Sequence, residues 1–254
     1  MISVVIVGTG NVAQNLYYAL QQTDGVNIKQ VVGRNSTHLE FVKDKLLVNT
    51  DFTNIPNADI YLLAISDDAI GTVSGFFKDK NGLVAHTSGA TSIAVLNGVK
   101  RPGIFYPLQT FTKGKIVSFT SIPICIEANT KTDMELLTDL GKTLSNTVVE
   151  INSEQRKPLH VAAVFVNNFT NYLYTLGAEI CEEHQIDFNL LKPLITETAT
   201  KLNDLSPLQA QTGPAKRGDQ KTLHNHLQLL KDKHQREFYT LLSNAIKEKH
   251  GKEL

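Results

Sequence analysis

An α/β fold, a doubly wound parallel sheet followed by an all-helical C-terminal half, is what three observations on the sequence predict. Over the first ~150 residues, short β-branched runs alternate with segments of helical period, the pattern of strand-helix-strand units on a parallel sheet. A glycine-bearing turn, "GTGNVA" at residues 8–13, directly follows the first apolar run and opens an amphipathic segment. From Ser153 onward the two-residue alternation stops and long apolar segments of helical period replace it.

Taken in order, "ISVVIV" is a buried strand, and "NVAQNLYYALQQ" is a helix with Val12, Leu16 and Leu20 on one face. "VNIKQVVGRN" is a second strand, "STHLEFVKDKL" a helix capped by Ser36, and "ADIYLLAIS" the third main strand. "DDAIGTVSGFF" is a helix, with Asp67 or Asp68 as its cap rather than as catalytic carboxylates. "GLVAHTSG", "RPGIFYPLQ", "SIPICIEA", the helix "DMELLTDLGKTL" and the strand "TVVEI" complete the sheet. Three helical segments follow: "PLHVAAVFVNNFTNYLYTLGAEICEEH", "NLLKPLITETATKL" and "TLHNHLQLLKDKHQREFYTLLSNAIKEK". The change of period divides the chain into 1–152 and 153–254, with Pro158 in the first turn of the first of these helices. That helix is apolar nearly all round, which predicts burial, in part against a second subunit.

Composition excludes several functions. The 25 basic and 25 acidic side chains cancel, so neither nucleic acid nor an anionic membrane is expected as a partner. Cys125 and Cys181 stand far apart in apolar surroundings, which signals neither a disulfide framework nor a zinc site, and no metal is expected. With no leader-like segment or membrane-length apolar run, a cytoplasmic location is expected, where the sequons at Asn35 and Asn168 are idle.

The turn carries the first chemical assignment. Gly8 permits a tight bend, Gly10 lets the backbone approach a pyrophosphate, and Thr9, Asn11 and Val12 complete a helix start whose N–H groups favour the anion. Ala13 replaces the third glycine of the dinucleotide fingerprint, a position that governs helix-to-strand packing and accepts a methyl group. The first half is therefore expected to be a Rossmann-type domain. An NAD-binding chain would carry an acid at the end of the second strand; this one reads Arg34, Asn35, Ser36, which suits a 2′-phosphate and hence NADP(H). Ala64, Ile65 and Ser66, with Thr87 and Ser88, end the next strands and are expected along the ribose and nicotinamide path.

Polar residues in the helical half are the candidates for chemistry. At 100° per residue, His160 and Asn167 lie about 20° apart and Asn168 about 80° from His160, so all three share one side of the helix. Clustered just after the nucleotide domain, they are candidate catalytic residues. In "TGPAKRGDQKTLHNHL", Asp219 is an N-cap candidate, Thr222 and His226 follow one turn apart, and Arg217 precedes; together they form a candidate grip for a substrate carboxylate or phosphate. His86 and Tyr106 are further possible proton donors and substrate contacts, beside Gln109, and the sequence does not rank them.

The stretches "GTGNVA", "HTSGA", "FYPLQTF", "KPLHVAAVFVNNF" and "TGPAKRGD" followed by Thr222 resemble a family of Rossmann-type proteins whose helical C-terminal half is a domain of unknown function, number 2520. The resemblance spans nearly the whole chain. That family is similar in layout to pyrroline-5-carboxylate reductase and, more distantly, to 3-hydroxyacid dehydrogenases, and the resemblance implies an NADP-linked reductase dimerising through its helical domain. His160 and Asn168 fit the family's pattern. The hydroxyacid dehydrogenase arrangement, a lysine one turn before an asparagine, is not reproduced, because Lys157 is followed there by Val161. The expected function is an NADPH-dependent oxidoreductase acting on a small carbonyl or imine compound bearing an acid group; the alternative is a non-catalytic NADP(H)-binding sensor or assembly protein.

Overall fold

The computed structural model describes residues 1–250 and forms two compact units, the first running to Asn167 and the second starting at Asn168. The opening turns of the long helix thus group with the sheet rather than with the helices that follow them. In the first unit a sheet of eight strands is built from β1 (Ile2–Val7), β2 (Val26–Val32), β3 (Val48–Asn49), β4 (Ile60–Leu63), β5 (Leu83–His86), β6 (Pro102–Pro107), β7 (Ile124–Ala128) and β8 (Val148–Glu150). Their order is β3-β2-β1-β4-β5-β6-β7-β8, parallel throughout except between β6 and β7. The chain reverses its direction of travel between β1 and β4, and such a switch point is where an open α/β sheet leaves a crevice.

Side-chain alternation explains why the sheet is covered on both faces. Val4 and Ile6 join one core with Leu16 and Leu20 of α1 (Asn11–Gln21) and Leu137 and Leu140 of α3 (Lys131–Leu144). Val5 and Val7 join the other, with Ile70 of α2 (Asp67–Ser74) and Phe77 just beyond it. Strands buried on both sides read as continuous apolar runs, as β1 and β4 do.

Several local expectations are corrected. "STHLEFVKDKL" forms only a short 3₁₀ turn, Ser36–Leu39, and its cap is Asn35, which accepts the Thr37 N–H at 3.0 Å, not Ser36. The Asn35 side chain competes with the backbone for that N–H and stops a longer helix from starting. The cap of α2 is Ser66, without a side-chain bond; Asp67 and Asp68 lie in its first turn, where negative charge suits the helix dipole. α4 (Ser153–Ala163) begins through a capping box between Asn152 and Gln155, so Pro158 lies inside the helix and removes one backbone bond there.

Beyond α4 the helix turns into a π-helical stretch, Val164–Phe169, before α5 (Thr170–Glu183). The second unit continues through α6 (Lys192–Thr200), α7 (Pro207–Ala210), α8 (Gln220–Leu229) and α9 (Lys233–His250). The last expected helix is thus two, broken at an extended Leu230, and α9 restarts where Asp232 accepts the Gln235 N–H at 2.9 Å. The long apolar helix is also not buried by its own chain: Val161 is 56% exposed, Phe165 62%, Val166 74% and Phe169 51%. Among the described residues no helix is long and apolar enough to cross a membrane.

Candidate functional site

Gly8 closes β1 at φ +131°, and a Cβ there would lie 2.0 Å from the Ala64 carbonyl oxygen at the end of β4. Only glycine allows the two strand ends to meet so closely at the switch point. Gly10 is the opposite case: a Cβ on it would meet nothing within 4 Å, so its backbone faces open space at the start of α1. No side chain caps that helix, which leaves the amides around Asn11 and Val12 available to an anion. Ala13 is fully buried, as the packing role of its position requires. These features fit a pyrophosphate.

Two supports of the turn escape a motif reading. A Cβ on Gly33 would sit 2.4 Å from Thr9 Cγ2, so a glycine after β2 is what lets Thr9 pack there. Asn15, buried on α1, donates to the Lys115 carbonyl at 3.3 Å and accepts the Val117 N–H at 3.0 Å, while Asn11 donates to the Phe111 carbonyl at 2.9 Å. The segment after β6 is thereby fastened along the first turns of α1. At the end of β2, Arg34, Asn35 and Ser36 are exposed. The Asn35 carbonyl oxygen is occupied by Thr37 (3.0 and 2.9 Å), so Arg34 is the charged group offered at that strand end. Ala64 is buried, Ile65 half-buried and Ser66 exposed at the start of α2.

Across the sheet, Leu63, His86 and Ile104 stand in one row, so Tyr106 lies beyond the carboxyl end of β5. His86 is fully buried: the Ser88 N–H donates to its Nδ1 at 3.2 Å and its Nε2 faces the Ser92 carbonyl at 3.4 Å. Burial holds its pKa down to about 4. His86, a candidate substrate contact, is thus buried with both ring nitrogens turned to the loop after β5. Ser88 is likewise taken up by the turn, accepting the N–H groups of Ala90 and Thr91 at 3.2 and 3.0 Å, and Thr87 reaches the Leu63 carbonyl at 3.5 Å.

Tyr106 and His160 come together. The Tyr106 hydroxyl lies 3.1 Å from His160 Nδ1, with the rings edge to face. Gly89 makes this possible: a Cβ there would be 2.5 Å from His160 Nδ1 and 2.8 Å from the Tyr106 hydroxyl. Burial first, and then Cys125, pushes the Tyr106 pKa up, so its hydroxyl keeps its proton and can donate to Nδ1 or accept from it, according to the imidazole tautomer. Just below, Arg156 is fully buried and pairs with Glu127 at 2.5 Å, while its other terminal nitrogen donates to the Thr91 carbonyl at 2.5 Å and Ser153 Oγ at 3.2 Å.

The remaining candidates are less concentrated. Lys157 forms an exposed pair with Glu154 at 2.9 Å. Asn167 is half-buried and Asn168 exposed, both within the π-helical stretch. The angles expected between them and His160 assumed 100° per residue; a π segment turns less per residue, so that shared face does not follow. In the second unit, Asp219 does cap α8, accepting the Thr222 N–H at 3.0 Å and the Thr222 hydroxyl at 2.7 Å. His226 lies 2.7 Å from the Tyr239 hydroxyl, and Arg217 is exposed. Thr222 and His226 thus have structural partners, and Arg217 is the cation of that group facing solvent.

Of the residues missed, Arg156 and Glu127 had a signal in part: Arg156 stands four residues before His160 and so on the same helix face. Asn15 had one too, a polar residue on the apolar side of α1. Gly89 had none, since a glycine's neighbours are set by the fold.

Residues 122–246 match a domain of unknown function (DUF2520). Among solved structures, the chain is 40% identical to BF3122 of Bacteroides fragilis, provisionally assigned as an NADP oxidoreductase, over 97% of this chain and 98% of that one, with a TM-score of 0.89. A pyrroline-5-carboxylate reductase of Coxiella burnetii shares the fold at 17% identity (98% of each chain, TM-score 0.59). So does a reductive aminase of Aspergillus terreus, solved with NADPH, at 12% identity (99% of this chain and 96% of that one, TM-score 0.68). No curated protein matches. With a relative of that identity along nearly its whole length, the chain belongs to the family of Rossmann-type, NADP oxidoreductase-like proteins with a helical C-terminal domain of unknown function, DUF2520.

Proposed function

We propose that the chain is an NADPH-dependent oxidoreductase that reduces a small carbonyl or imine compound bearing an acid group. The observation that carries this reading is the Tyr106–His160 pair, hydrogen-bonded at 3.1 Å in the same unit as the phosphate turn. NADPH, when bound, supplies the hydride. Gly8, Gly10 and the first turn of α1 hold its pyrophosphate, and Arg34 holds the 2′-phosphate. Tyr106 orients His160, whose protonated imidazole, with Nδ1–H donating to the tyrosine oxygen, would release its Nε2 proton to the substrate oxygen or nitrogen and be left neutral. The 40% identical relative, an NADP oxidoreductase by its provisional assignment, supports the same chemistry.

The exposed Arg217 is the group we assign to the substrate's acid, since Asp219 and Thr222 are bonded to each other. The apolar side chains exposed on the second unit favour a homodimer formed through it. The two free buried cysteines accord with a reducing, cytoplasmic setting.

Fluorescence titration with NADPH and NADH is the first test, followed by an NADPH-oxidation screen over ketoacids and cyclic imines. Arg34→Ala is expected to weaken NADPH about 10-fold or more and leave NADH unchanged, a charge-assisted bond being worth roughly 1.5–3 kcal/mol. His160→Gln and Tyr106→Phe are expected to lower turnover by about 10²–10⁴ without changing NADPH affinity. Tight NADPH binding with no oxidation of any substrate class would favour the non-catalytic alternative.

A further inference from the structure

Arg156 is the largest fully buried side chain among the described residues, and it is charged. Its guanidinium makes three bonds to three different segments: to Glu127 on β7, to the Thr91 carbonyl in the loop after β5, and to Ser153 at the start of its own helix. Ser153 Oγ closes the network by donating to Glu127 at 2.7 Å and accepting the Ile93 N–H at 3.1 Å. Yet Arg156 Nε has no acceptor among the described residues. A buried pair that leaves a donor unsatisfied is a poor source of stability compared with apolar side chains of the same volume. What it supplies is direction, because a planar fork with two committed nitrogens fixes the elements it joins.

The elements joined are those that carry the proposed proton donor. His160 lies one helical turn after Arg156 on α4, and the loop anchored at Thr91 contains Gly89, which packs against both His160 and Tyr106. We propose that Arg156 is a positioning residue of the Tyr106–His160 pair: its guanidinium clamps α4 to the loop after β5 and to β7, which holds the imidazole against the tyrosine hydroxyl. This rests on the role given to that pair above.

The test is histidine side-chain ¹⁵N NMR on the full chain, with the His160 signals assigned by their loss in His160→Gln. Wild-type protein is expected to show a single tautomer with a hydrogen-bonded Nδ1. In the double variant R156M/E127L, which removes both charges together, the thermal midpoint is expected to stay near wild type while the His160 signals move to the averaged values of a free imidazole. R156K keeps the charge but offers one ammonium for three bonds, and its signals are expected to fall between; it decides the matter if the double variant does not fold. Wild-type His160 signals in the folded variants would overturn the positioning role. An averaged tautomer already present in the wild type would instead overturn the pair itself, so the two failures are distinguishable.

Discussion

The sheet unit and the helical unit are stabilised in different ways. Residues 1–167 bury two dense apolar layers on either side of the sheet, with Val4 to Val7, Leu62 and Leu63 fully enclosed. From Asn168 onward, only Leu176, Cys181, Ala210, Ala215 and Leu223 are buried apolar residues among those described, while Leu190 and Leu194 are 70% and 61% exposed. The first unit completes its own core. The second carries amphipathic helices whose apolar faces its own chain does not cover, the surface on which the proposed dimer rests. The proposed chemistry follows the same division: the phosphate turn and the Tyr106–His160 pair both stand in the first unit, where packing holds side chains in place.

The largest effect comes from cutting into the sheet core. Leu62→Ala is expected to cost about 2–5 kcal/mol in urea unfolding, by the same amount at every protein concentration. The next effect is set by pH. The folded state holds His86 at about 4 against an ordinary 6.5, so it binds fewer protons than the unfolded chain between those values. Stability is therefore full above pH 6.5 and falls as pH drops from 6.5 towards 4, by about 3 kcal/mol. His86→Asn should flatten this slope in melts recorded across that range. In the helical unit, Asp219→Ala removes the cap of α8 and is expected to cost about 1 kcal/mol. Smallest for the single chain is the double change Leu190→Asp and Leu194→Asp, at exposed sites and worth within about 0.5 kcal/mol there. Light scattering should nonetheless show the proposed dimer replaced by monomer, and a dimer that survives would place the interface elsewhere.

The sheet unit was largely legible in the sequence because its signals are local. β1, β4 and β5 are apolar runs between turn residues, and the bend at Gly8 is demanded by the strand end it must pass. The helical unit was read less well, since nothing local distinguishes an apolar helix buried by its own chain from one covered by another. The π-helical stretch and the break at Leu230 were invisible for a related reason: both are settled by packing and caps rather than by period. At the site, Arg34 could be named because the fingerprint gives it a fixed distance from the turn. His160 stands out in the sequence by sharing a helix with Asn167 and Asn168, whereas the burial of His86 carries no local signal. What separates them is the loop between Ser88 and Ser92, which closes around one and brings Gly89 to the other.

Gly89 also provides a clean genetic tool. Its backbone is not left-handed, so alanine is permitted by the main chain, and the three atoms nearest the added methyl all belong to the two side chains of the proposed proton relay. A cell carrying a Gly89→Ala protein that still binds NADPH in titration would have the proposed proton relay wedged apart. Comparing that allele with a deletion would separate what the organism owes to turnover from what it owes to the presence of a bound nucleotide.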